Sequence, residues 1–213
     1  MNEFLRKLFF IGIVRPLVLI VIGLNVRRRE RLPLGGPAIV VANHNSHLDT
    51  LVLMSLFPLA LLPKLRPVAA ADYFLSNRWL AWFALRIMKI IPLERQVKVK
   101  HGDPLGPVTA SLEQGEIVIL FPEGSRGEPE SLSEFKSGIA HLARRHPEVR
   151  IIPVFLHGLG KALPRGEALL VPFFCDVFVG EGMVWSGEKA SFMTELDGRF
   201  QALAAEGNFS AWA

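Results

Sequence analysis

The chain predicts an α/β fold, a mixed and largely parallel sheet flanked by helices, led by an N-terminal membrane-anchoring helix. Three observations carry this reading. Short, wholly apolar runs such as Ala38-Ile39-Val40-Val41-Ala42 have the unbroken hydrophobicity of strands buried on both faces. These runs alternate with segments of helical length, the pattern of helices packed on a sheet. Residues 1–24 are mostly apolar and stand apart from that alternation, ahead of the basic cluster Arg27-Arg28-Arg29-Glu30-Arg31. Residues 1–24 are therefore read as the anchoring segment and residues 25–213 as one domain.

The anchor comes first. As a straight helix, Leu8 to Leu24 would span roughly 26 Å at about 1.5 Å per residue, short of a hydrocarbon core of ~30 Å. Arg15-Pro16 would also kink it and set a charge near its middle. A monotopic or re-entrant anchor is expected rather than a spanning helix. No small-residue cleavage site separates it from the basic cluster, which argues against a signal peptide. That cluster suits anionic headgroups and would keep the domain on the cytoplasmic face. Leu24 to Leu32 also reads as a basic edge strand, and the two readings are compatible.

Strands are expected at 38–42, 67–70, 88–93, 116–121, 151–156 and 168–179, and helices at 47–59, 75–88, 104–114, 136–146 and 188–205. The helix near 104 is punctuated by Asp103 as cap, Pro104 at its first position and Gly115 at its end. Trp79, Trp82 and Phe83 recur at helical spacing. They form either a core stripe or an interfacial face that dips into a bilayer.

Composition limits the partners. Half of the 213 residues are hydrophobic and mean hydropathy is +0.32, high for a freely soluble protein and consistent with membrane contact. A net charge of +4 suits anionic lipids or phosphorylated substrates. Nucleic acid is disfavoured because the cations do not interleave with aromatics along a face. Cys175 is the only cysteine, which excludes an intrachain disulfide and a cysteine-based metal cluster.

Two turns carry the chemistry, both at the carboxyl ends of strands, where open α/β sheets place their sites. The first is Asn43-His44-Asn45-Ser46-His47-Leu48-Asp49-Thr50. His44 and Asp49 would form a general-base dyad across the strand-to-helix turn. Ser46-x-x-Asp49 is equally a capping box, and Asp49 would serve both purposes by dividing its two oxygens. His44-x-x-His47-x-Asp49 has the look of metal-ligand spacing, but no further ligand cluster accompanies it, so no metal is expected. The second turn is Phe121-Pro122-Glu123-Gly124-Ser125-Arg126-Gly127. Pro122, Gly124 and Gly127 allow close approach of a ligand. Glu123 offers acceptor oxygens, Arg126 a phosphate-sized donor fork, and Lys136 a further cation. Taken alone, this turn is also compatible with an ordinary solvated surface loop. Lys98, Lys100 and Lys64-Leu65-Arg66 read as solvated charges or as contacts to lipid or donor phosphates.

In order and rough spacing, His44-(four residues)-Asp49, Phe121-Pro122-Glu123-Gly124-Ser125-Arg126 and Ile152-Pro153-Val154 closely resemble the 1-acyl-glycerol-3-phosphate (lysophosphatidic acid) acyltransferase family. The resemblance covers about residues 23 to 160 and makes 25–213 an acyltransferase domain. It implies transfer of a fatty acyl group from acyl-CoA or acyl-carrier protein, as co-substrate and with no cofactor, to a lysophospholipid hydroxyl. It assigns His44 as general base and Asp49 as its orienting partner. Glu123, Gly124, Ser125 and Arg126 become the acceptor-binding block, and Pro153 falls on the acyl-donor side. A further block maps onto Ile90-Ile91-Pro92-Leu93-Glu94-Arg95, with Arg95 as a phosphate ligand; Pro92 and Glu94 depart from its commoner residues. Ser125 and Gly127 are milder departures. N–H groups at the start of the helix after His44 would hold the oxyanion. The same chemistry on another lysolipid, a hydrolase using the dyad on water, and a non-enzymatic lipid-binding protein are the competing readings.

Overall fold

The computed structural model describes residues 2–46, 48–94, 103–125, 132–162, 174–207 and 209. Its elements run in the order α1 (Asn2–Phe9), β1 (Gly23–Arg27), β2 (Ala38–Ala42), α2 (Asp49–Ser55), β3 (Leu65–Ala70), α3 (Ala71–Phe74), α4 (Arg78–Trp82), β4 (Ile91–Leu93), α5 (Gly106–Glu113), β5 (Ile117–Leu120), α6 (Gly138–Arg145), β6 (Arg150–His157), α7 (Leu159–Ala162), β7 (Phe174–Val179) and α8 (Lys189–Ala205). The strands form one seven-stranded sheet in the order β1-β7-β6-β2-β5-β3-β4. From β4 to β6 every neighbouring pair is parallel. β7 reverses against β6, and β1 runs parallel to β7. The sheet is thus mixed and largely parallel, as its apolar runs predict.

Alternation along the strands divides the core between the two faces. Val40, Ala42, Ile119, Ile152 and Val154 face the N-terminal helix and α2. Ile39, Val41, Val118, Ile151 and Phe155 face α5, α6 and α8. β2 lies at the centre and is buried at all five positions. Its carboxyl end therefore projects the following turn from the most rigid part of the sheet.

The N-terminal segment departs from the expected kinked anchor. Helical backbone continues past α1 through π turns at Phe10–Val14 and Leu17–Val21. Arg15 and Pro16 both keep right-handed helical angles. Arg6, Phe10, Val14, Val18 and Ile22 are buried at four-residue spacing. In a regular α-helix such a stripe would rotate by about 40° per repeat. The wider i→i+5 turns absorb that rotation and hold the stripe on the sheet. Arg6 donates to the carbonyls of Leu65 (3.1 Å) and Met88 (3.4 Å). Burial lowers its pKa to about 10, and it stays charged at neutral pH. Among the described residues, no helix is long and apolar enough to cross a membrane.

Several boundaries move for identifiable reasons. The expected helix 75–88 breaks at Ser76-Asn77, where the Asn77 side chain caps α4 by accepting from the Trp79 N–H at 2.8 Å. The expected strand 88–93 shrinks to β4, because helical turns run from Phe83 to Met88 and Lys89, in the left-handed conformation, ends them. Pro92 sits on that edge strand, where a missing N–H is tolerated. The helix expected from 104 starts at Gly106, with Pro107 in its first turn. Asp103 still accepts from the Leu105 N–H at 3.1 Å, and Gly115 turns the chain at φ +69°. The basic edge strand is realised as β1, but part of the cluster is taken up internally. Arg28 donates to the Val179 carbonyl (3.0 Å) and pairs with Glu206 (2.7 Å), while Arg29 Nε donates to the Leu56 carbonyl (2.8 Å). The stretch 168–173, expected as strand, lies outside the described residues.

Candidate active site

Where β2 ends, its last paired residue is Ala42, opposite Val154 of β6. Asn43 prolongs the ladder with its side chain: Nδ2 donates to the Leu156 carbonyl at 2.8 Å and Oδ1 accepts from the Leu156 N–H at 2.7 Å. A buried amide thus replaces a backbone rung. Asn45 lies beside it, 5% exposed, with Nδ2 at 3.4 Å from the same carbonyl. His44 lies between these two anchored residues, its side chain 21% exposed.

Asp49 begins α2 and is fully buried. Its Oδ2 accepts from His44 Nδ1 at 2.8 Å, from the Asn45 N–H at 2.7 Å and from the Ser46 N–H at 2.8 Å. Asp49 thus meets both the histidine and the N–H groups of the preceding turn, but not by dividing its oxygens: Oδ2 takes all three bonds and Oδ1 is buried without a partner. With Nδ1–H committed to a carboxylate, Nε2 carries the lone pair that can accept a proton. Burial pushes the Asp49 carboxyl above its ordinary range, against the hydrogen bonds that favour its ionised form.

The second turn closes against the first. Phe121, just past β5, stacks on the His44 ring with centroids 4.2 Å apart and planes at 24°. Glu123 Oε1 accepts from the His44 N–H at 3.0 Å. Expected to face the acceptor, Glu123 is turned inward, only 3% exposed, and its Oε2 is buried without a partner. Burial raises its carboxyl pKa, opposed by the hydrogen bonds from the His44 N–H and Ser133. Gly124 has φ +71°, and a Cβ there would lie 2.8 Å from Lys136 Nζ, so the lysine side chain lies over the glycine. The Lys136 N–H donates to the Pro122 carbonyl at 2.8 Å, tying that cation to the turn. Ser125 is exposed beside them.

The other expected site residues fall elsewhere. Arg95, Arg126 and Gly127, with His47, Lys98, Lys100 and His101, lie outside the described residues. Pro153 is buried in β6 on the α8 side of the sheet, and its ring and Leu203 of α8 both close on Gly180. The adjoining ladder bulges there: β6 pairs with Val179 at Val154 and with Met183 at Ile151, so residues 180–182 face two residues of β6, and the Gly180 N–H still donates to the Pro153 carbonyl at 2.8 Å. The oxyanion donors expected at the start of α2 are already engaged. Asn45 and Ser46 N–H bond to Asp49, Leu48 N–H to the Ser46 hydroxyl at 3.3 Å, and Asp49 N–H to the Ser46 carbonyl at 3.2 Å. Among the described residues, no three His, Cys, Asp or Glu side chains group as metal ligands. Sequence reasoning overlooked Asn43, Asn45 and Phe121. Two amides flanking His44 at the end of a fully apolar strand were the available signal, since buried polar groups require partners.

Known proteins resemble this chain in sequence and in fold. The chain is 30% identical over 145 residues to a chloroplastic 1-acyl-sn-glycerol-3-phosphate acyltransferase of Arabidopsis thaliana, covering 68% of this chain and 38% of that protein. It is 28% identical over 190 residues to a Pseudomonas aeruginosa protein of the same description, covering 85% of this chain and 67% of that one. The chain thus spans well under half the length of the plant relative. Its fold matches the crystal structure of the 1-acyl-sn-glycerophosphate (LPA) acyltransferase PlsC from Thermotoga maritima, with a TM-score of 0.76 at 20% identity, covering all of this chain and 85% of that one. The Acyltransferase family profile matches residues 23–157, which hold His44, Asp49 and the Glu123 turn, and the chain belongs to that family.

Proposed function

We propose that the protein is a membrane-associated O-acyltransferase that moves a fatty acyl group from acyl-CoA or acyl-carrier protein to the free hydroxyl of 1-acyl-glycerol-3-phosphate, giving phosphatidic acid. The observation that carries this reading is the 2.8 Å bond from His44 Nδ1 to a fully buried Asp49 carboxylate, at the end of the central strand. His44 Nε2 takes the acceptor's hydroxyl proton as its oxygen attacks the thioester carbonyl. Asp49 offsets the charge that the imidazolium then carries. When the tetrahedral intermediate collapses, the C–S bond breaks and the thiolate leaves with the proton from His44. A thioester is already activated, so no covalent enzyme intermediate is required. General-base help of this kind contributes about 10²–10⁴-fold, and alignment of the two substrates adds to it.

Lys136, lying over Gly124, offers a cation to the acceptor phosphate; the family resemblance adds Ser125, Arg126 and Arg95 as further acceptor ligands. Pro153 acts indirectly, by shaping β6 on the donor side. Membrane association is supported by the outer face of the N-terminal helix, where Phe4, Leu8, Leu19 and Ile20 are exposed, Ile20 at 81%. That helix packs beside the turns after α4 through an edge-on contact of Phe9 with Phe83. Trp79, 82% exposed, and Trp82 extend the apolar surface from α4. The basic cluster Arg27-Arg28-Arg29-Glu30-Arg31 favours docking on the cytoplasmic face.

The test is an acyl-transfer assay of the purified protein with a panel of lysolipids and both donors, scored by product mass. Phosphatidic acid formation that disappears in His44→Ala supports the reading. Turnover of a different lysolipid alone would favour the second acceptor class, for which Pro92 and Glu94 in the Arg95 block already speak. Release of free fatty acid without transfer would replace the transferase with a hydrolase.

A further inference from the structure

The geometry points to Glu123 as a positioning residue for the general base, not a ligand of the acceptor. The inference rests on the acyl-transfer reading of the His44–Asp49 pair. Glu123 is 3% exposed, so its carboxylate does not line an open subsite. Its Oε1 reaches across 79 residues of chain to accept the His44 N–H at 3.0 Å. Two further contacts restrain the same histidine. Phe121, two residues earlier in the Glu123 turn, stacks on the imidazole, and Asp49 takes Nδ1–H. The ring is therefore held on its face and its Nδ1 edge, while Glu123 holds the main chain from which it projects.

Each carboxylate also holds a different stretch of one short turn. Asp49 takes the N–H groups of Asn45 and Ser46, and Glu123 takes that of His44. Three successive N–H groups thus end on two buried acid side chains. Without Glu123 the first has lost this acceptor, and the His44 backbone is free to rotate its ring away from the cleft. A misplacement near 1 Å is enough to cost about 10²-fold in rate. Because the bond needs an acceptor oxygen and not a charge, the amide oxygen of glutamine can replace Oε1. The glutamine NH2 then falls where Oε2 has no partner.

Glu123→Ala and Glu123→Gln are compared with the parent by steady-state kinetics in both substrates and by hydrogen exchange of peptides containing His44. Alanine is expected to lower kcat by about 10²-fold, with acceptor KM within about twofold. Glutamine should restore kcat to within about fivefold of the parent. The His44 amide should exchange at least about tenfold faster in the alanine variant and near the parental rate in the glutamine variant. A rise of acceptor KM of about tenfold with kcat retained would make Glu123 an acceptor ligand and overturn the proposal. So would a glutamine variant as slow as the alanine one, or unchanged exchange at His44. If alanine prevents folding, the glutamine kinetics and exchange decide alone. A parent inactive toward every acceptor sinks the acyl-transfer reading, while the exchange experiment still reports on the Glu123–His44 contact.

Discussion

Replacing Asp49 by asparagine should separate stability from activity. An amide oxygen in the place of Oδ2 still accepts from His44 Nδ1, Asn45 N–H and Ser46 N–H, so the turn and the histidine tautomer persist. What disappears is the negative charge facing the imidazolium. Two unit charges about 4 Å apart attract by about 4 kcal/mol at an effective dielectric near 20. The histidine side chain is 21% exposed, so solvent screens part of this. A loss of about 3–4 kcal/mol of transition-state stabilisation corresponds to about 10²–10³-fold in rate. Stability should move the other way. Burial holds the Asp49 carboxyl above its ordinary pKa, so the native state binds that proton more tightly than the unfolded chain does. Ionisation therefore costs stability, by an amount that is absent below about pH 4 and grows as the pH rises toward the raised native value. Asparagine has no charge to bury. Although its NH2 replaces an unpartnered Oδ1, an unpaired amide costs less than an unpaired anion. Urea unfolding of both proteins should find the variant at least as stable at about pH 8, with its advantage fading toward about pH 4. Thiol release from the acyl donor measures the rate. A variant less stable than the parent at about pH 8, or one within about tenfold of its activity, refutes the reasoning.

Three other outcomes follow from named contacts. Gly124→Ala forces a side chain onto a φ of +71° and against Lys136, so it should cost about 1–2 kcal/mol in thermal unfolding and raise acceptor KM more than it lowers kcat. Asn43→Ala strands the buried Leu156 N–H and leaves its carbonyl only the longer 3.4 Å bond from Asn45 Nδ2, at a cost of about 1–3 kcal/mol. A loss in urea unfolding below about 0.5 kcal/mol would show that β2 and β6 hold together without that amide. Trp79→Ser with Trp82→Ser should lower the melting temperature only slightly, since Trp79 is 82% and Trp82 46% exposed, and weaken co-sedimentation with anionic vesicles. Unchanged vesicle binding would remove α4 from the docking face.

Much of the framework was legible before any coordinates. β2, β5 and β6 announced themselves because a strand covered on both faces must be apolar at every position, and Ala38–Ala42 is. α8 was bounded closely, since Phe192, Leu196, Phe200 and Leu203 repeat on one side of a helix. The N-terminal stripe was harder to read. Its four-residue spacing fits no regular α-helix, and only packing on the sheet shows that π turns absorb the mismatch. The break before α4 depended on one asparagine capping at close range, a local choice that the apolar pattern across 75–88 conceals.

The sequence alone indicated the order of the main strands and helices, which rests on periodicity, the candidate pairing of His44 with Asp49, which rests on local spacing, and the family, which rests on the resemblance of motif blocks spread from His44 to Pro153. Which oxygen of Asp49 bears the bonds, and that Glu123 faces His44, follow only from the fold. So do the engagement of Arg28 and Arg29 inside the domain and the burial of Arg6 between Leu65 and Met88. The three arginines meet partners 27 to 178 residues away. Long-range pairing is set by how the sheet brings distant segments together, and no local pattern records it.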